Sequence, residues 1–169
     1  AIMDYDGNNH EYLTNGKDIV ITPRASPDGK KIAYLSFSNK KPTVFLLDLE
    51  TKKEKTLGNF LGMSFAPRFS PDNEKIIFSL TKRGGSNIFI QKLSNNEIIQ
   101  ITNNRYINTS PSFSPDNKWI VFSSDRSGKQ NLYVKKNNDD ISKKAKRITF
   151  GGGSYATPCL LYTSASPRD

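Results

Sequence analysis

The chain has 169 residues, 35% of them apolar and 11% aromatic, which excludes a disordered or low-complexity polymer. Its 25 basic and 16 acidic residues give a net charge of +9, but the excess is mostly lysine scattered over turns among many Asn and Ile, so no nucleic-acid partner is expected. One cysteine and one histidine exclude a disulfide scaffold, a zinc ribbon and a histidine-based metal site, and no apolar run is long enough to insert in a membrane.

In chain order, Ile2-Met3-Asp4 and Leu13-Thr14 read as the last two strands of a unit entered part-way, with His10 in the turn between them. The cassette Pro23-Arg24-Ala25-Ser26-Pro27-Asp28-Gly29 follows. It returns at a step of 44 residues as Pro67-Arg68-Phe69-Ser70-Pro71-Asp72-Asn73, and again as Pro111-Ser112-Phe113-Ser114-Pro115-Asp116-Asn117. Such a period marks one supersecondary unit repeated, each copy unable to bury its apolar face alone. The register extends to Ile32, Ile76 and Ile120, to Tyr34, Phe78 and Phe122, to Phe45, Phe89 and Tyr133, and to Leu13, Leu57 and Ile101.

Each unit parses into four short β-branched and aromatic runs separated by turn residues. In the second unit, strand A is predicted near Ala66–Phe69, B near Lys75–Ser79, C near Asn87–Gln91 and D near Ile98–Thr102. Four strands per repeat of this length is a propeller blade. The expected fold is therefore all-β, about three and a half blades of a β-propeller. Residues 1–17 end one blade, 18–61, 62–105 and 106–152 form three, and 153–158 begin the next. In the A-to-B turn, Pro sets φ, Asp28, Asp72 and Asp116 bond back to the backbone, and Gly or Asn takes positive φ.

Further along, Lys135-Lys136 and Lys143-Lys144-Lys146-Arg147 flank a three-residue expansion of the C-to-D turn and read as a solvated blade rim. Asn108-Thr109-Ser110 meets the glycosylation sequon by coincidence. Gly152-Gly153-Ser154-Tyr155 looks like a nucleophile elbow, which needs a buried strand, a following helix and a later histidine. The chain offers no histidine after it, and Ser154 falls in the connector column of Ser64 and Asn108. From Cys159 to Asp169 the repeat is abandoned, and Cys159-Leu160-Leu161-Tyr162-Thr163-Ser164 resembles the translation of a transposase-derived sequencing adapter. Residues 159–169 are expected to be a non-native tail, and the chain to be a fragment with an uncovered apolar face at each end.

The D-to-A connectors Asp18–Thr22, Gly62–Ala66, Arg105–Ser110 and Gly151–Thr157 lead each inner strand toward the channel of a propeller. The B-to-C loops Ser38–Pro42, Thr81–Ser86 and Ser124–Lys129 open on the same side. Together they form a rim of small, hydroxyl, aromatic and basic groups, suited to holding a partner's loop rather than to bond cleavage.

Met3-Asp4-Tyr5-Asp6-Gly7-Asn8-Asn9, Leu13-Thr14-Asn15-Gly16, Thr22-Pro23-Arg24, the Ser-Pro-Asp cassettes, Ser124-Asp125-Arg126, Leu132-Tyr133-Val134 and Arg147-Ile148-Thr149-Phe150-Gly151 resemble the β-propeller domain of the TolB family. The likeness runs from Ala1 to Pro158. It implies a six-bladed propeller following a smaller α/β domain, in a non-catalytic periplasmic protein of the Tol-Pal system, with no cofactor. It also implies that the propeller mouth binds the lipoprotein Pal and is exploited by colicins. Contact with TolA is not implied, because the segment that supplies it in the family is absent. The implied partner-binding residues are Thr22, Met63, Phe65, Ala66, Asn108, Thr109 and Ser110, although some relatives place His at the Met63 column and Glu at the Ser110 column. Two alternatives stay open: a substrate-gating propeller of a prolyl-oligopeptidase-like or tricorn-like serine peptidase, and a lysine-rich polyanion binder.

Overall fold

The structure, a computed structural model, describes residues 1–38, 41–58, 62–82, 84–138 and 140–160. Outside them lie the adapter-like tail from residue 161 onward and parts of the predicted connectors at 39–40, 83 and 139. All twelve named elements are strands: β1 (Val20–Ala25), β2 (Lys31–Ser36), β3 (Thr43–Asp48), β4 (Glu54–Thr56), β5 (Met63–Phe69), β6 (Lys75–Lys82), β7 (Gly85–Lys92), β8 (Ile98–Gln100), β9 (Asn108–Phe113), β10 (Trp119–Ser124), β11 (Asn131–Lys136) and β12 (Lys146–Arg147). They form three four-stranded antiparallel sheets, β1-β2-β3-β4, β5-β6-β7-β8 and β9-β10-β11-β12, each a meander in chain order. These are three successive blades of a propeller fragment.

The A-to-B turns follow the chemistry of their cassette. The amides of Gly29, Asn73 and Asn117 bond the carbonyls of Ser26, Ser70 and Ser114, closing a turn whose last residue takes a φ of 70°, 60° and 57° respectively. Each serine hydroxyl donates to the aspartate two residues on, and each aspartate accepts the amide of Lys30, Glu74 or Lys118. The turns also tie blade to blade: Asn73 Oδ1 accepts the Asp28 amide, and Asn117 donates to the Asp72 carboxylate.

Period-two alternation sends the two faces of each sheet into different cores. Ile76, Phe78 and Leu80 of β6 meet Ala33, Leu35, Val44 and Leu46 of the first blade. Ile77 on the opposite face, with Ile88 and Ile90 of β7, meets Ile120, Phe122 and Tyr133 of the third. A strand buried on both sides reads as a continuous apolar run, which is why Lys75–Lys82 contains Ile-Ile-Phe-Ser-Leu. Full burial of each such side chain contributes about 1.5–3 kcal/mol. The aromatic columns are register partners across β2–β3, β6–β7 and β10–β11, stacked with centroids 5.8 Å apart for Tyr34–Phe45, 6.3 Å for Phe78–Phe89 and 6.2 Å for Phe122–Tyr133.

Candidate functional site

The residue before each inner-strand proline is held in the left-handed region: Thr22 at φ 52°, Ala66 at 53°, Ser110 at 52° and Thr157 at 51°. Such a conformation costs a non-glycine residue about 1–2 kcal/mol, and a β-branched threonine is among the worst suited to it. The ladder on either side imposes it. Two residues of strand A oppose one of strand B between Ile21 and Arg24, between Phe65 and Arg68, and between Thr109 and Ser112. The single opposed residue is Tyr34, Phe78 or Phe122, the aromatic that stacks across to strand C. A bulge of this kind bends the strand and increases its twist.

Beyond the bulge, pairing resumes, with Met63 opposite Thr81, Ser64 opposite Leu80 and Asn108 opposite Ser124. The predicted partner-binding residues therefore lie inside β1, β5 and β9 rather than in loops. Gly62 fixes the entry to β5: an added Cβ would stand 2.0 Å from the Thr81 carbonyl oxygen, so only glycine lets the two strands close. Met63 is 42% exposed, Thr22 is exposed, and Phe65, Ala66, Thr109 and Ser110 are half-buried. Phe65 also packs against the first core.

Asn108 is different, because it is fully buried. Its amide donates to the Ser86 carbonyl at 2.9 Å and to Asn104 Oδ1 at 2.8 Å, while its own Oδ1 accepts from the Arg126 guanidinium at 2.8 Å. A side chain so engaged supports the rim from beneath and leaves the sequon without an accessible acceptor. Ser64 sits in the same column and accepts the Val44 amide at 3.0 Å. In the next copy that place belongs to Tyr155, whose amide bonds the Gln130 carbonyl at 2.8 Å. Ser154, assigned to this column from the sequence, stands one residue earlier, because Pro158 sets the register there.

Arg126 was legible only as part of a family-like triplet, with no role attached. Its guanidinium lies 4.4 Å from the Tyr133 ring centroid and also donates to Ser124 Oγ at 3.0 Å. Burial disfavours its charged form and draws its pKa below the ordinary arginine value. Beside it, Asp125 Oδ1 accepts the Ile107 amide at 2.8 Å. The B-to-C turn thus clamps the start of β9. Lys135, expected in the solvated rim, is instead buried, and its ammonium donates to the carbonyls of Asp140 at 2.8 Å and Ile101 at 3.3 Å.

Among the described residues, no group of three or more His, Cys, Asp or Glu side chains is placed to hold a metal ion. His10 packs edge-on to Tyr12, centroids 4.6 Å apart. The rim offers kinked backbone, small and hydroxyl side chains and the Met63 thioether, held over clamped supports.

A sequence profile described as the TolB beta propeller domain matches residues 1–165. A Tol-Pal system protein TolB from Paramagnetospirillum magneticum is 47% identical over 64 residues, covering 38% of this chain and 14% of that protein. The crystal structure of TolB from Acinetobacter baumannii superposes with a TM-score of 0.79 at 34% identity, over 91% of this chain and 38% of that one. The chain thus spans well under half the length of these relatives. A puromycin hydrolase structure aligns with a TM-score of 0.74 over 94% of this chain and 26% of that one, at 13% identity, a likeness of fold alone.

Proposed function

Because the chain belongs to the TolB beta propeller family, we propose that it is a non-catalytic docking segment of the periplasmic Tol-Pal system, binding Pal through the bulged ends of its inner strands. The observation that carries this reading is the fourfold recurrence of a left-handed residue before proline, at Thr22, Ala66, Ser110 and Thr157. Backbone held in so costly a geometry presents its groups in one arrangement, which lowers the ordering cost of binding. Ala66 and Ser110 are two of these kinks, Met63 and Thr109 lie beside them, and Asn108 and Arg126 hold the third one from below.

The rival reading, a gate for a serine peptidase, finds no nucleophile elbow at Ser154, because the Tyr155–Pro158 segment that follows it is not a helix. Colicins remain candidate competitors for the same surface.

The test is a titration of Pal against a complete TolB carrying this segment. Ala66→Asn adds bulk while tolerating left-handed backbone, and Thr109→Gln adds bulk beside it. Each is expected to weaken Pal binding about tenfold with the melting temperature kept. Unchanged affinity for both variants would remove the rim assignment.

A further inference from the structure

At the opposite end of the blades from the rim, where the A-to-B turns lie, a cavity of about 590 Å³ opens between the second and third sheets. Ile90, Ile99, Ile101 and the indole of Trp119 form its walls. Lys75, Lys92, Lys118 and Lys136 stand around its mouth.

The preceding inter-blade groove is the internal control, because every position has a counterpart 44 residues earlier. There Lys31 and Asp48 are direct register partners and form a salt bridge. In the second blade the same two places hold Lys75 and Lys92, like charges directly opposite each other. Such a pair destabilises a sheet. The third blade keeps a cation there, with Lys136 opposite Trp119 and 5.8 Å from its ring centroid. The apolar plug changes as well: Leu93 packs into the first core, whereas its counterpart is Asn137, which turns to bond the Asn117 carbonyl at 2.8 Å. The first groove is thus narrowed to about 420 Å³ and neutralised by an ion pair, with a leucine in its wall. The next is larger, apolar inside and lined by like charges.

Two acidic side chains partly offset the lysines, Glu97 at 2.8 Å from Lys92 and Asp116 at 3.6 Å from Lys118. Exposed pairs of this sort contribute little and exchange readily. We infer that this cavity is a binding site for an acidic peptide segment carrying one large apolar side chain. The side chain fills the space between Ile90, Ile101 and Trp119, and carboxylates flanking it engage the lysines. Strands ~4.8 Å apart in sheets ~10 Å apart spread the four cations too widely for one carboxylate, while an extended peptide sets its side chains at a matching spacing. The rim stays free when the site is occupied.

Trp119 is the chain's single tryptophan and is 39% exposed, so its emission reports entry to the cavity. The experiment titrates the complete chain with the synthetic peptide Asp-Glu-Phe-Asp-Glu, blocked at both ends. A saturable blue shift is expected, weakened at least ~10-fold when alanine replaces the peptide's phenylalanine. Lys92→Asp restores the pairing of the first blade, so it is expected to keep or raise the melting temperature while weakening binding by a similar factor. Lys143→Glu, outside the cavity, is expected to change neither. Absence of the shift, equal binding of the alanine peptide, undiminished binding by Lys92→Asp, or a response to anionic lipid vesicles alone would each overturn the proposal.

Discussion

Ser64, Asn108 and Tyr155 perform one task with three chemistries: a hydroxyl that accepts, an amide that donates, and a backbone N–H. What is retained is a polar link from the segment that leads into each inner-strand proline to strand C of the blade before it or the residue that opens that strand. Asn108 bears the most on the rim, because it also holds Arg126. Asn108→Ala would leave the buried Ser86 carbonyl without this donor and the half-buried guanidinium without its amide acceptor. A buried polar group left unsatisfied costs about 1–3 kcal/mol, so the chemical denaturation midpoint is expected to fall accordingly. Ser124 and the Tyr133 ring still hold Arg126, so the loss is expected to stop short of unfolding the third blade.

At the scale of turns and strands, the Ser-Pro-Asp cassette makes stability depend on acid. Asp28 and Asp116 are held below the ordinary aspartate pKa by the Ser26 and Ser114 hydroxyls and then by the Lys30 and Lys118 amides. Burial works against the charge of Asp72, yet the Ser70 hydroxyl and the Glu74 amide keep its pKa low as well. Groups with depressed folded-state values contribute stability that is complete above the unfolded aspartate pKa of ~3.9 and is lost as pH falls through the folded values. The melting temperature is therefore expected to hold from neutral pH to about 5 and to decline below about 4. Replacing Ser26, Ser70 and Ser114 by alanine should flatten that decline, as followed by circular dichroism. These turns were legible in the sequence because Pro, Asp and Gly or Asn act through local backbone chemistry, and the aromatic columns because their partners repeat in register. The bulge was not legible. Nothing in Ala66-Pro67 announces a left-handed residue opposite Phe78, since the ladder on both sides imposes it. The burial of Asn108 and Lys135 was equally hidden, because neighbouring blades supply their partners.

Across the whole molecule, two opposing effects decide how the chain behaves alone. The second blade is covered on both faces, but β1 is exposed along nearly all its length. Ile19 is 67% exposed and Ile21 41%, and Tyr5 and Tyr12 earlier in the chain stand fully or largely in solvent. Against association stands the net charge of +9. At physiological ionic strength that repulsion is screened beyond about 8 Å, whereas apolar contact is not weakened by salt. The chain is therefore expected to self-associate through this end face, with sedimentation shifting to larger species as protein concentration rises, and further as salt is added. Ile19→Lys with Ile21→Thr should reverse the shift, because both side chains leave the face without touching either core. A sharp, reversible melting transition independent of concentration in the unsubstituted chain would show that the exposed end carries no such drive.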